Sequence, residues 1–214
     1  MFQINNTEPK DLKSIAQCQM KCFPNSHNTK LGQQFISKSL QWFLQKENRF
    51  LFHITDQNQV IGFCGGFSPQ FYGDGSSSGM LQFAFKEAIF GIAKKPWLLF
   101  NKSIRLYYPF ILRNIKKKLK LTQTIAVVPQ PTNYVFKQTV GLVVIGVHPN
   151  FRGKGVFEKL MIEFENRAKQ LQIKDCILSV RTENLRAIAA YKKMGWFVKD
   201  ENEISLTLTK TINL

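Results

Sequence analysis

Val147-His148-Pro149-Asn150-Phe151-Arg152-Gly153-Lys154-Gly155-Val156 is the stretch from which the fold is read. It follows Val140–Val147, a run rich in β-branched residues that suits a buried central strand. It leads into a helix of about Gly155–Leu171, where Val156, Leu160, Phe164, Ala168 and Leu171 form one apolar stripe. A buried strand therefore turns through two glycines into a helix. Unpaired N–H groups at a helix start, together with the favourable end of its dipole, make an anion site. Glycines allow positive φ and close approach of the main chain, which forms a concave nest of donors. Arg152 and Lys154 add charge beside it, and a pyrophosphate is the natural occupant. The same residues also read as a tight turn in which glycine serves geometry alone, so specificity has to come from what lies downstream.

Downstream stands Asn184-Leu185-Arg186-Ala187-Ile188-Ala189-Ala190-Tyr191-Lys192-Lys193-Met194-Gly195-Trp196. Asn184 follows the strand Cys176–Val180 and is placed to cap a short helix, Leu185–Lys193. Ala187 and Ala190 keep one side of that helix slim. Tyr191 comes two helical turns after Asn184, so both project to one side, and Gly195 ends the helix.

These two stretches resemble the cofactor-binding motifs of the GNAT acyltransferase superfamily. The first is similar to its Val-x-Pro-x-x-Arg-Gly-x-Gly strand–loop–helix. The second is similar to its Asn-x-x-Ala-x-x-x-Tyr-x-x-x-Gly-aromatic helix, at the family's spacing. The resemblance implies an α/β (α+β) fold with a mixed, mostly antiparallel central sheet whose strands splay apart, flanked by helices. It implies an acyl-CoA-dependent N-acyltransferase that moves acetyl from acetyl-CoA to an amine by direct attack. Pantetheine would run beside Ile145 and Val147, and the pyrophosphate would sit on the amides of Arg152, Gly153, Lys154, Gly155, Val156 and Phe157. Asn184 would contact the cofactor arm, and Tyr191 would protonate the departing thiolate as general acid. Phe157 departs from the Gly or Ala usual at its place, so its ring must turn away from the phosphates.

The rest of the chain fits one domain, residues 1–214, with an insertion at 68–138. Phe2–Asn5 reads as a strand, Asp11–Cys22 and about Lys30–Gln45 as helices, and Phe50–Thr55 and Val60–Phe67 as strands joined by Asp56-Gln57-Asn58-Gln59. The insertion, between the third and fourth strands, opens with the loop Gly73–Gly79 and continues with helical stretches at about Met80–Lys94 and Ile104–Lys120. It closes with Val128-Pro129-Gln130-Pro131. Ile204–Thr209 is a last alternating strand.

Thirty basic residues against fourteen acidic give the 214-residue chain a formal charge of +16, which attracts anions without naming one. Between Lys86 and Lys120 stand ten basic residues and one acid, Glu87, interleaved with aromatics. That segment reads as a lid suited to an anionic or phosphorylated acceptor, as a surface for anionic membrane through residues 80–120, or as aromatics packed on the domain beneath solvated charges. Nucleic acid is the least favoured partner. A catalytically weak CoA-binding protein whose basic insertion binds membrane or nucleic acid is the alternative to an enzyme, and a homodimer is compatible with either. Cys18, Cys22, Cys64 and Cys176 are too scattered for a disulfide framework, and His27, His53 and His148 lack metal-ligand spacing, so no metal is expected. No general base declares itself; His148 reads as a loop residue. The first residues lack the pattern of a signal peptide, and a cytoplasmic setting is expected.

Overall fold

Alternating and β-branched segments pair into one seven-stranded sheet in the order β1-β2-β3-β4-β5-β7-β6. The computed structural model describes residues 2–71, 74–100 and 137–214. The strands are β1 (Gln3–Asn6), β2 (Arg49–Asp56), β3 (Gln59–Phe67), β4 (Val140–Val147), β5 (Asp175–Arg181), β6 (Phe197–Glu201) and β7 (Ser205–Thr211). Every neighbouring pair is antiparallel except β4–β5. The helices are α1 (Leu12–Cys22), α2 (His27–Leu31), α3 (Gln33–Gln41), α4 (Ser76–Phe83), α5 (Phe85–Lys94), α6 (Val156–Gln170) and α7 (Leu185–Lys193). The mixed, mostly antiparallel sheet flanked by helices is the one expected.

Local chemistry sets the boundaries. Gln57 and Asn58 both take positive φ in the β2–β3 turn, which matches the twist of a tight hairpin. The single helix expected over Lys30–Gln45 is instead α2, α3 and a 3-10 turn at Trp42–Gln45. The break falls at Gly32, whose φ of 100° no helix accommodates, while the Ser26 hydroxyl caps α2 by accepting from the Thr29 amide. The Gly73–Gly79 loop is shorter than expected, because Ser76–Gly79 forms the first turn of α4. The stretch Met80–Lys94 divides at Ala84 into α4 and α5. β6 was not anticipated; its five residues are all exposed, so no apolar alternation marks it. The expected helix Ile104–Lys120 and the proline segment 128–131 lie outside the described residues.

Two cores sandwich the sheet. On one face α6 packs Leu160, Met161 and Phe164 against Phe52, Ile54 and Ile61, joined by Leu178, Tyr191, Trp196 and Leu208. On the other, α1 and α3 set Ile15, Phe35, Ile36 and Leu40 against Phe63 and Phe67. Each such side chain contributes about 1.5–3 kcal/mol on burial, and the sheet between the two cores is thereby held rigid at its centre.

Candidate functional site

β4 and β5 pair only at Val140, Gly141 and Leu142, opposite Cys176, Ile177 and Leu178. Beyond that they part, while β4 runs on to Val147 and β5 to Arg181. The splay expected from the sequence is present, and it opens a cleft of 850 Å³. Its onset has a local cause. Gly65 faces Val144 and Gly66 faces Leu142, so Val143 is one extra residue in β4, a β-bulge. The bulge shifts the side-chain alternation by one. Val140 and Leu142 pack with α6, then Val143 and Val144 both join the α1–α3 side, and Ile145 and Val147 return to the α6 side.

The bulged strand offers the cleft a backbone edge. The His148 amide donates to Ile61 in β3. Since alternate residues of a strand bond to opposite neighbours, Gly146 and Val144 also turn their polar groups to β3. Ile145 and Val147 turn theirs toward the gap left by β5. Consistent with that, the Val147 carbonyl accepts from Arg152 Nε at 3.3 Å rather than from a strand.

At the end of the gap, Gly153 and Gly155 both have φ of 76°, and a Cβ at either would meet nothing within 4 Å. Backbone conformation, rather than crowding, therefore demands glycine here. Gly155 is the N-cap of α6, and the first amide to close a helical bond is that of Lys159, on the Gly155 carbonyl. The preceding amides of the turn form the donor-rich helix start that an anion can use. Arg152 is held differently from the simple expectation. Its Nη2 donates to the Cys22 carbonyl at 3.1 Å, so the guanidinium ties the end of β4 to the end of α1. Lys154 places its ammonium 5.1 Å from the centre of the Phe151 ring.

The far wall is α7. Asn184 accepts the Ala187 amide at 3.2 Å and caps the helix. Tyr191 is 6% exposed, its ring set edge-on to Phe157 at 5.6 Å and tilted against Trp196 at 6.1 Å. Phe157 thus turns its ring toward Tyr191 and the α6-side core. Burial, with a lesser contribution from the Cys64 thiol, pushes the Tyr191 phenol above its ordinary pKa, so it holds its proton across the neutral range.

The structure brings Ile145, Val147, Arg152, Gly153, Phe157, Asn184 and Tyr191 to the walls of one cleft. Lys154, Gly155 and Val156 shape its end without forming its wall, and Val156 is buried in the core. Sequence reasoning missed Arg181 and Arg186, which bring positive charge to the β5–α7 side, and Gln19, Ser26 and Asn28 from α1 and α2. Arg181 ends a strand and Arg186 opens a helix, a placement that carries some signal; nothing in the spacing marks the α1–α2 residues. His148 is buried, its Nδ1 accepts the Asn150 amide at 3.3 Å, and burial with Lys21 and Arg152 depresses its pKa. Among the described residues no cluster of three or more His, Cys, Asp or Glu could hold a metal ion.

A mixed sheet opened at its parallel pair, with a glycine turn into a helix at one end and a tyrosine-bearing helix across the gap, defines an acetyltransferase-type fold. The model of the acetyltransferase (GNAT) family matches residues 115–196, and the resemblance read from the sequence is borne out. Solved structures share the fold. PaiA N-acetyltransferase from Thermoplasma acidophilum, in complex with coenzyme A, is 12% identical over 99% of both chains with a TM-score of 0.55. A GNAT-family acetyltransferase from Streptococcus pneumoniae is 13% identical over 100% of both chains, with a TM-score of 0.57. Arabidopsis thaliana NAA60 in complex with acetyl-CoA is 15% identical over 100% of this chain and 99% of its own, with a TM-score of 0.57. No curated protein matches the chain in sequence.

Proposed function

We propose that this chain is an acyl-CoA-dependent N-acetyltransferase that carries acetyl directly to an amine. The observation behind this reading is that one cleft gathers a strand edge with no strand beside it among the described residues, a glycine-turned helix start and a buried, protonated tyrosine. Acetyl-CoA would supply the acyl group as an activated thioester. The edge of Ile145 and Val147 presents amide and carbonyl groups suited to the amides of a pantetheine arm. The turn Arg152–Phe157 presents donors to a pyrophosphate. Arg152 acts chiefly as a positioning residue, fixing the turn to α1. Tyr191 supplies a proton to the leaving sulfur, and holding both reactants in one cleft supplies much of the rate. Residues 1–214 are read as a single domain, with 68–138 as its insertion.

Acetyl-CoA at a hundredfold excess over its Kd should stabilise the fold by about 2.7 kcal/mol. For a domain of this size that is a rise of roughly 5–10 °C in Tm by differential scanning calorimetry. No shift with acetyl-CoA or coenzyme A refutes the reading.

A second reading concerns the insertion, where Phe90, Trp97 and Phe100 are 51%, 64% and 85% exposed and Lys94 stands 4.3 Å from the centre of the Phe90 ring. Exposed aromatics beside lysines suit an anionic membrane surface. Co-sedimentation with phosphatidylserine vesicles that disappears in a Trp97→Ala/Phe100→Ala variant supports it, and no co-sedimentation at low salt refutes it.

A further inference from the structure

A second cavity adjoins the cleft. Its volume is 250 Å³, and Gln19, Asn28, Val143 and Val144 are walls of both. Its body is apolar: Leu31 of α2, Phe35 and Leu40 of α3, Met80 of α4, and Phe85 and Ala88 of α5. The β4 bulge makes the junction, because it turns Val143 and Val144 together to this side. Among the described residues no Asp, Glu, Lys or Arg lines it, and the one titratable wall residue is His27, whose pKa is depressed by burial, Lys30 and Arg181, so the ring is uncharged at neutral pH. In its walls Gln19 Oε1 and Ser39 Oγ are buried and have no hydrogen-bond partner among the described residues.

We infer that this cavity is the acceptor site and that it selects a small primary amine with an apolar body, taken in its uncharged form. The inference rests on the acetyltransferase reading above. The volume lies just under the roughly 300–1,000 Å³ of drug-sized ligand pockets, so the occupant is small. A polyamine or a phosphorylated amine would bring charge into a chamber with no charged side chain among its described wall residues. A long acyl chain would fill the apolar space but offer Gln19 Oε1 no donor. An amine satisfies Gln19: its N–H donates to Oε1 at the junction, which aims the nitrogen lone pair into the cleft. The N–C bond forms as the C–S bond breaks. The nitrogen loses one proton to water, and the sulfur gains one from Tyr191, which is reprotonated by water. Amine and thioester thereby become amide and thiol. Five of the fourteen residues that line this chamber come from α4 and α5, so the insertion begins with a specificity element.

The test uses the full chain, with thiol release measured at saturating acetyl-CoA for phenethylamine, spermidine and glucosamine phosphate. Coenzyme A affinity is measured in parallel by isothermal titration calorimetry. Phenethylamine should exceed both others at least tenfold in kcat/KM. Its kcat/KM should rise about tenfold per pH unit from 7 to 9, because the free amine fraction does so below an alkylamine pKa of roughly 10.4. Ala88→Phe, which fills the chamber away from the cleft, should raise the KM for phenethylamine at least tenfold and leave the coenzyme A Kd within twofold. Gln19→Leu, close in volume, should lower kcat for the same amine at least tenfold. Preference for spermidine or glucosamine phosphate overturns the inference, as does an unchanged KM in Ala88→Phe. So does a wild-type preference for decanoyl-CoA over acetyl-CoA that Ala88→Phe abolishes, since the chamber then holds the acyl chain. If coenzyme A fails to bind while phenethylamine alone titrates heat that Ala88→Phe removes, the cofactor reading has failed and the amine chamber stands. If coenzyme A binds and phenethylamine neither binds nor reacts, the chamber assignment alone has failed.

Discussion

Replacing Tyr191 by Phe separates packing from chemistry at the proposed catalytic centre. The ring contacts with Phe157 and Trp196 survive the change, since they involve only ring faces and edges. The hydroxyl makes no hydrogen bond to any described residue, so its removal strands no partner and should alter stability by less than about 1 kcal/mol. General-acid assistance is commonly worth 10²–10⁴ in rate. At the lower bound kcat falls about 100-fold, which is about 2.7 kcal/mol of transition-state stabilisation. Single-turnover thiol release measures that step, and calorimetric titration with coenzyme A should find a Kd within twofold of wild type. The pH dependence has a definite sign. Burial raises the phenol pKa in the folded state, so the unfolded chain gives up this proton first as pH climbs past roughly 10. The folded state then binds more protons, and wild type loses stability relative to Tyr191→Phe above that pH while matching it below. An unchanged kcat in Tyr191→Phe would reduce the residue to a packing role and refute the assignment.

Arg152→Ala removes two hydrogen bonds to main-chain carbonyls; for an exposed side chain this should cost about 1–2 kcal/mol in urea unfolding and weaken coenzyme A binding as the turn loosens. Gly155→Ala forces a side chain into the left-handed region with no steric clash, so the loss should be about 1–2 kcal/mol from backbone strain alone, again with weaker coenzyme A binding. Gly146→Ala would place a Cβ 2.6 Å from Phe63 Cε1 and 3.2 Å from Cys22 Sγ; the overpacking should cost about 1–3 kcal/mol, and a neutral result in thermal unfolding would show that this face of β4 yields more than its packing suggests.

Much of the cofactor half could be read from residue patterns because its physics is local. Val140–Val147 and Leu185–Lys193 appear at the boundaries expected, since a β-branched run and a capped helix carry their own signals. The acceptor half could not be read in this way. The chamber is assembled from α1, α2, α3, α4 and α5; the spacing of Phe35 and Leu40 marks an apolar side of one helix, but nothing in it marks a chamber there or the polar wall residues Gln19 and Ser39. Gln19 is one polar residue of a helix whose buried set also includes Ile15, Ala16 and Cys18, and only the fold shows that its carbonyl oxygen is orphaned. The bulge at Val143 was equally invisible, because Leu142-Val143-Val144-Ile145 contains no glycine or polar residue to mark a change of phase. The extra residue shows only in the register against β3.

The short junction between β4 and β5 gives the sheet an unusual economy. Strands β1–β4 and strands β5–β7 are two leaves of one book, stitched by three residue pairs at the spine. Along the rest of that seam the missing rungs are free to be supplied by something other than protein. A molecule with its own amide groups, lying along Ile145 and Val147, would stand in for the absent strand. The cleft is thus the place where the backbone has half written a hydrogen-bonding pattern that a ligand's amides can complete.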